Sequence, residues 1–374
     1  ELRAGLEALR ERLTGAGSPA ARTLVGGAAC GAEAIVAAIP EGSTLIEYVA
    51  LGGVCAAIVA SARGVEAREL PVSPGELAAL TAAFLRGGAA DEAAARRLHA
   101  LLLAPIEALL AGDRLIIVPT SGLHHLPFET LLGPAGHVVA RRDISYLPAA
   151  SLLAGWRSRE APPAAAGLLA FVDPDTDYDG DGRPDLPPLP GARDEVEGFA
   201  SGFVRRRLLT GREAAKEALA SLGREYDVIH YAGHGLFTPA RPWDSALCFA
   251  ARPAAGRKGM DGKLKASEVY GLDLRQSRLI ALSGCETGRG RVSAADDAVS
   301  IAAAFLHAGA PSLLVSLWKV EDRATAALMK SFYGRWIGEG KDRARALREA
   351  KLDLARGEFP HPRQWGAFVL VGFP

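Results

Sequence analysis

Few cysteines, few aromatics and no excess of either charge mark this 374-residue chain, and each scarcity excludes something. Its four cysteines, Cys30, Cys55, Cys248 and Cys285, are widely spaced, without the CxxC pairs of a zinc or redox site or the density of a disulfide scaffold. Reduced thiols in a cytoplasmic protein are therefore expected. Lys plus Arg number 43 and Asp plus Glu number 43, so no net field attracts a polyanion or an anionic membrane over long range. Neither nucleic acid nor membrane is expected as a partner. Long apolar runs are also missing. The longest, from Leu45 to Ala60, contains Glu47 and falls short of the ~20 residues of a bilayer crossing, so it reads as buried strand. No basic segment followed by an apolar one is visible at the start, so no secretory signal is read there.

What is present is enough apolar residue, 49%, for a substantial core. Leu2, Leu6, Leu9 and Leu13 recur at helical spacing. Leu45 to Ala50 and Val54 to Ser61, split by Gly52-Gly53, read as a hairpin, with a third strand near Val65 to Leu70. The Ala- and Leu-rich stretch from Pro74 to Leu110 predicts helix, broken or restarted at Pro105, and Arg114 to Pro119 a short strand. From Gly167 the pattern becomes strand, loop, helix, repeated, with strands at Leu168 to Val172, Val228 to Tyr231, Leu279 to Leu282 and Leu313 to Leu317. Helices from Ala324 to Trp336 and Asp342 to Arg356 and a strand from Ala367 to Val371 close the chain. This alternation predicts an α/β fold with a mainly parallel sheet covered on both faces. Residues 1–160 form a smaller N-terminal α/β portion in this reading, and residues 161–374 a larger α/β domain.

Two of the strands end in chemically capable residues, His234 in Asp227-Val-Ile-His-Tyr-Ala-Gly-His-Gly235 and Cys285 in Arg278-Leu-Ile-Ala-Leu-Ser-Gly-Cys-Glu-Thr-Gly288. Sites in open parallel sheets form beyond the carboxyl ends of strands. Neighbouring strands would set His234 beside Cys285, the pairing of an imidazole proton shuttle with a thiolate nucleophile. Gly233, Gly235 and Gly284 let the backbone turn there, and the N–H groups of Gly235 and Cys285 are candidates for an oxyanion hole. Taken singly, a cysteine at a strand end is more often packed core and a histidine near glycine often structural.

The surrounding words carry a family resemblance: His-Tyr-Ala-Gly-His-Gly at 230–235, Leu-Ser-Gly-Cys-Glu-Thr-Gly at 282–288 and Ala-Gly-Ala-Pro-Ser-Leu-Leu-Val-Ser-Leu-Trp-Lys-Val-Glu-Asp at 308–322. Leu-Pro-Phe-Glu at 126–129, Leu-Pro-Gly-Ala-Arg-Asp-Glu at 189–195 and His-Pro-Arg-Gln-Trp-Gly-Ala-Phe-Val-Leu at 361–370 extend it. Together they resemble the CHAT family, which is similar to caspases, separases and metacaspases. The resemblance implies a caspase-like sheet preceded by a pseudo-caspase-like portion, a Cys285/His234 dyad, and endopeptidase activity on protein substrates with no cofactor for catalysis. It also implies an activating partner protein or helical-repeat region; a non-catalytic caspase-like scaffold is the alternative. Gly284, where many relatives carry Ala, and Asp296-Asp297, in a stretch often richer in Gly, depart from the pattern.

In peptidases of this fold the side chain before the cut bond enters a pocket beside the dyad, here lined by the segment from Ser316 through Trp318 to Asp322. A carboxylate at Asp322 would pair with a substrate Arg or Lys, with Asp244 a second candidate; capping of a helix beginning near Arg323 is the structural explanation of Asp322. A further feature is an acidic loop, with six carboxylates in the thirteen residues 173–185. Asp177, Asp179, Asp181, Gly182, Arg183 and Asp185 fall on positions 1, 3, 5, 6, 7 and 9 of an EF-hand-type loop, Arg183 through its carbonyl, which makes Ca²⁺ a candidate regulatory or structural ion. Position 12 is Pro188, so the bidentate ligand is missing unless Asp173 or Asp175 supplies it, and a solvated acidic loop is the competing reading. Arg205-Arg206-Arg207 reads as a solvated basic face.

Overall fold

The computed structural model describes residues 31–51, 53–155, 166–236, 244–253, 260–284 and 294–374. The predicted helix at Leu2 to Leu13 lies outside them. A meander of β1 (Ser43–Leu51), β2 (Val54–Ser61) and β3 (Gly64–Leu70) comes first. Leu51 pairs with Val54, and in the connection between them Gly53 takes a φ of 86° that favours glycine. Next come β4 (Arg114–Val118), the small hairpin of β5 (Leu132–Gly133) and β6 (Gly136–His137), and β7 (Asp143–Tyr146). The second half supplies β8 (Gly167–Pro174), β9 (Arg205–Gly211), β10 (Val228–Ala232), β11 (Gly235–Leu236), β12 (Ala246–Pro253), β13 (Met260–Lys265), β14 (Leu279–Leu282), β15 (Ser312–Ser316) and β16 (Phe368–Gly372). The longer helices are α1 (Pro74–Arg86), α2 (Glu92–Leu102), α3 (Pro190–Ala200), α4 (Lys216–Leu222), α5 (Ala294–His307), α6 (Asp322–Tyr333) and α7 (Arg343–Arg356).

Among the described residues, 11 strands join in one sheet, ordered β3-β2-β1-β4-β7-β16-β15-β14-β10-β8-β9. From β15 to β9 all neighbours are parallel, as are those from β1 to β16; the two blocks meet antiparallel at β15 and β16. The central strands are buried at every position, as expected of parallel strands covered on both sides. Their alternation sends Leu169, Ile229, Ile280 and Leu313 to the face covered by Leu219 of α4 and Phe305 of α5. Leu168, Val228, Leu279 and Leu314 face Val196 of α3, Leu328 of α6 and Leu347 of α7. The α/β prediction with a mainly parallel sheet flanked by helices is thus the observed architecture.

One detail differs from the sequence reading. The break between α1 and α2 falls at Gly87-Gly88, where Gly88 has a φ of 69°, and Pro105 instead opens a 3-10 turn, Ala104–Leu109. Gly88 supplies a left-handed turn that ends a helix more sharply than a proline placed in the next first turn. Arg205, Arg206 and Arg207 are exposed on β9, an outer strand of the sheet, where their charge discourages edge-to-edge pairing.

A buried ion pair ties the two halves of the chain together. Lys351 Nζ of α7 lies 2.7 Å from Glu129 Oε1, and Tyr146 donates to Glu129 Oε2 at 2.6 Å. Phe128 N–H in turn donates to the Tyr146 hydroxyl. The carboxylate of the Leu-Pro-Phe-Glu motif therefore has a structural partner set in the core, and desolvation lowers the Lys351 pKa while Glu129 opposes that shift.

Candidate active site

His234 follows the carboxyl end of β10, one strand over from β14. The two strands run parallel with Tyr231 opposite Leu282, and the Ser283 N–H continues the ladder to the Tyr231 carbonyl at 2.9 Å. The backbones then converge. A Cβ on Gly284 would stand 1.3 Å from the Gly233 carbonyl oxygen, and one on Gly233 would meet the Tyr231 ring at 2.6 Å. Both positions are glycine because the crossing leaves no room for a side chain. Cys285 lies outside the described residues, one position beyond Gly284.

The His234 main chain is held from two sides. Cys248 N–H donates to its carbonyl at 2.8 Å, and the Tyr231 hydroxyl lies 2.8 Å from the same oxygen. Because His234 and Cys248 share a ladder hydrogen bond, the next pair, Gly235 opposite Leu247, occupies a non-hydrogen-bonded position, with the Gly235 N–H directed away from β12. The ring is only 2% exposed and its Nε2 lies 2.7 Å from the Pro187 carbonyl oxygen. A carbonyl only accepts, so Nε2 is the donor in this contact.

Pro187 belongs to the acidic loop. Asp173, near the end of β8, takes a left-handed conformation at a φ of 44° and accepts the Leu189 N–H at 3.0 Å, which closes the loop at its base. The buried Thr176 accepts from Asp185 N through its carbonyl and from Leu186 N through its hydroxyl. Asp177, Asp179 and Asp181 place carboxylate oxygens within 4.8 Å of one another. Those carboxylates also accept local amides: Asp177 from Gly180 and Gly182, Asp179 from Asp181, Asp181 from Arg183, and Asp185 from Tyr178. The donor set is partial, since Pro188 offers no side-chain oxygen, and the loop has an internal bonding pattern of its own.

A pocket opens beside His234 between the amino ends of α3 and α6, and it includes Glu195, Gly284, Ser316, Trp318 and Asp322 in its lining. Asp322 is exposed, is the first residue of α6, and makes no ion pair among the described residues. The preceding N-cap position is Glu321, without a side-chain capping bond. Asp322 packs on Gly191, where a Cβ would lie 2.5 Å from its side chain. Ser316 Oγ donates to the Trp318 carbonyl, and Trp318 Nε1 to that of Arg363. Asp244 is not brought into this pocket; it pairs with Lys265 at 3.1 Å. Beneath the floor, Glu195 Oε1 lies 2.9 Å from His230 Nε2, and His230 Nδ1 3.1 Å from the Tyr333 hydroxyl.

Pro187, Tyr231 and Glu195 are the positions that sequence reasoning passed over. Tyr231 and Glu195 sit inside quoted motifs, which was the available signal; a carbonyl contact such as that of Pro187 leaves no mark in residue type.

The comparisons agree with this architecture. Tetratricopeptide repeat protein 28 of Mus musculus is 27% identical over 330 residues, a match covering 74% of this chain and 13% of that protein. Its Homo sapiens counterpart is 26% identical over 332 residues, with coverages of 74% and 13%. This chain thus spans about 13% of the length of the curated relatives it matches. The separase–securin complex of Saccharomyces cerevisiae resembles it with a TM-score of 0.55 at 10% identity, covering 91% of this chain and 31% of that one, a likeness of caspase-like fold. The CHAT domain model matches residues 92–373, and with three quarters of its length inside that match the chain belongs to the CHAT domain family.

Proposed function

We propose that the chain is a cysteine endopeptidase that hydrolyses peptide bonds in protein substrates through Cys285 and His234. The observation that carries this reading is the His234 ring, fixed by the Pro187 carbonyl at the strand ends where Gly284 stands against Gly233. With Nε2 committed, Nδ1 takes the thiol proton of Cys285. The thiolate attacks the substrate carbonyl carbon, and the C=O electron pair moves to oxygen, where the N–H groups of Gly235 and Cys285 receive it. Collapse of the adduct breaks the C–N bond as His234 protonates the leaving amine. Water, deprotonated by the same ring, then releases the acyl group from sulfur.

Asp322, uncommitted and at a pocket wall beside His234, supports a preference for Arg or Lys before the cut bond. The curated relatives, named for tetratricopeptide repeats and far longer than the match, support activation by a helical-repeat region or a partner protein.

The test is cleavage of a peptide library and a protein mixture by the wild-type chain and by Cys285→Ala, each with Ca²⁺ and with chelator. Cleavage lost in the variant supports the peptidase; cleavage that survives in it overturns the dyad. An inert wild-type chain, also inert when joined to a helical-repeat region, assigns the fold to a non-catalytic interaction module. Activity that is unchanged in chelator removes Ca²⁺ from the acidic loop's role.

A further inference from the structure

A second cavity, of about 510 Å³, lies between the end of α2, the 3-10 turn that follows it and the β5–β6 hairpin, and it shares no lining residue with the His234 pocket. Its volume is in the range that takes a whole small molecule. Leu103, Leu110, Leu115, Leu132 and Val138 supply an apolar wall. The charged lining is one-sided, with Arg96, Arg141 and Arg142 against a single acid, Glu107.

The arginines are not equally engaged. Arg142 bonds Glu107 at 2.9 Å and also donates to the Gly112 carbonyl, so that pair is complete. Arg96 meets Glu92 at 3.5 Å with both side chains more than half exposed, a contact that solvent screens. Arg141 makes no ion pair among the described residues. His99, whose ring rests against Gly133, has its pKa lowered by burial, so at neutral pH it offers a hydrogen-bonding nitrogen and no charge. The cavity thus combines an apolar surface with two guanidinium groups lacking a strong partner, and neither feature is used by the peptidase reading.

We propose that this cavity binds a small amphiphilic anion, a medium-chain carboxylate being the simplest, with its chain on the leucines and its head group on Arg141 and Arg96. A neutral molecule of the same shape leaves both guanidiniums unanswered, and a cation meets the arginine surplus. Arginine suits the task because its planar fork matches a carboxylate.

The experiment is fluorescence titration of the full chain with dansylundecanoate, followed by competition with decanoate and with decanol. The same titration is made on Arg141→Glu and on Ala100→Trp, which places an indole in the cavity mouth from the exposed side of α2. Circular dichroism confirms that both variants are folded. Expected are saturation at one probe per chain, displacement by decanoate at concentrations about tenfold below those needed with decanol, and probe binding weakened about tenfold or more in each variant. Absence of saturable binding, equal displacement by decanol, or unchanged binding in either folded variant overturns the proposal. The readout is independent of proteolysis.

Discussion

His234 Nε2 and the Pro187 carbonyl oxygen stand 2.7 Å apart, so the orientation of the proposed general base is set by a main-chain group of the acidic loop. Whatever shapes that loop also shapes the ring.

In the proposed peptidase, the loop's base should therefore influence turnover without touching substrate. Asp173→Ala removes the acceptor for the Leu189 N–H and forces alanine into a left-handed backbone. We expect kcat to fall about 10- to 100-fold with KM little changed. Asp173→Asn keeps both an acceptor oxygen and a tolerance for that backbone, and should retain most of the rate. Equal losses in the two variants, measured by steady-state kinetics, would contradict the positioning role.

Gly284→Ala tests the crossing of the two strand ends. Its Cβ meets the main chain of Gly233, which cannot swing aside as a flexible side chain would. The expected result is a loss of stability of about 1–3 kcal/mol in urea unfolding, together with a marked loss of cleavage.

Thiol chemistry separates the cysteines. Burial raises the Cys55 pKa and pushes Cys248 up to about 11, so both thiols are protonated at neutral pH. Thiolate is the reactive form, and limiting iodoacetamide at pH 7 should spare these two while labelling Cys285. Labelling of Cys248 in the folded chain should rise only as pH approaches its own pKa. Peptide mass spectrometry gives the answer, and early modification of Cys248 would refute the assignment.

Lys351→Met leaves the Glu129 carboxylate buried without its cation. A destabilisation of about 3–5 kcal/mol is expected in denaturant titration. Adding Glu129→Gln should recover part of that loss, because the residual charge is what costs most.

Asp322→Asn should lower kcat/KM for Arg and Lys substrates at least about tenfold while sparing apolar ones. An unchanged profile from a peptide library would leave Asp322 with its helix-start role alone.

The central strands were legible because fully buried parallel strands read as unbroken apolar runs, as at Leu279 to Leu282. The Gly52-Gly53 turn announced its hairpin for an equally local reason. Less legible was the choice between Gly88 and Pro105 as helix breaker, since proline is acceptable in a first turn. The candidate pocket was legible only in part. Asp322 and Asp244 are equivalent as residue types, and only the fold puts one beside His234 and the other against Lys265. Pro187 was not legible, because any residue presents the same carbonyl.

The buried pair between Glu129 and Lys351 joins positions 222 residues apart, and β16, the last strand of the chain, lies between β7 and β15 in the sheet. Residues before β8 can form local hairpins and helices on their own, but the middle of the sheet stays open until β16 is in place. Completion of the sheet thus waits on β16, and a product truncated before Phe368 would expose the edges of two unfinished blocks. The strand ends that carry His234 therefore belong to a sheet whose two blocks are joined by a strand far along the sequence.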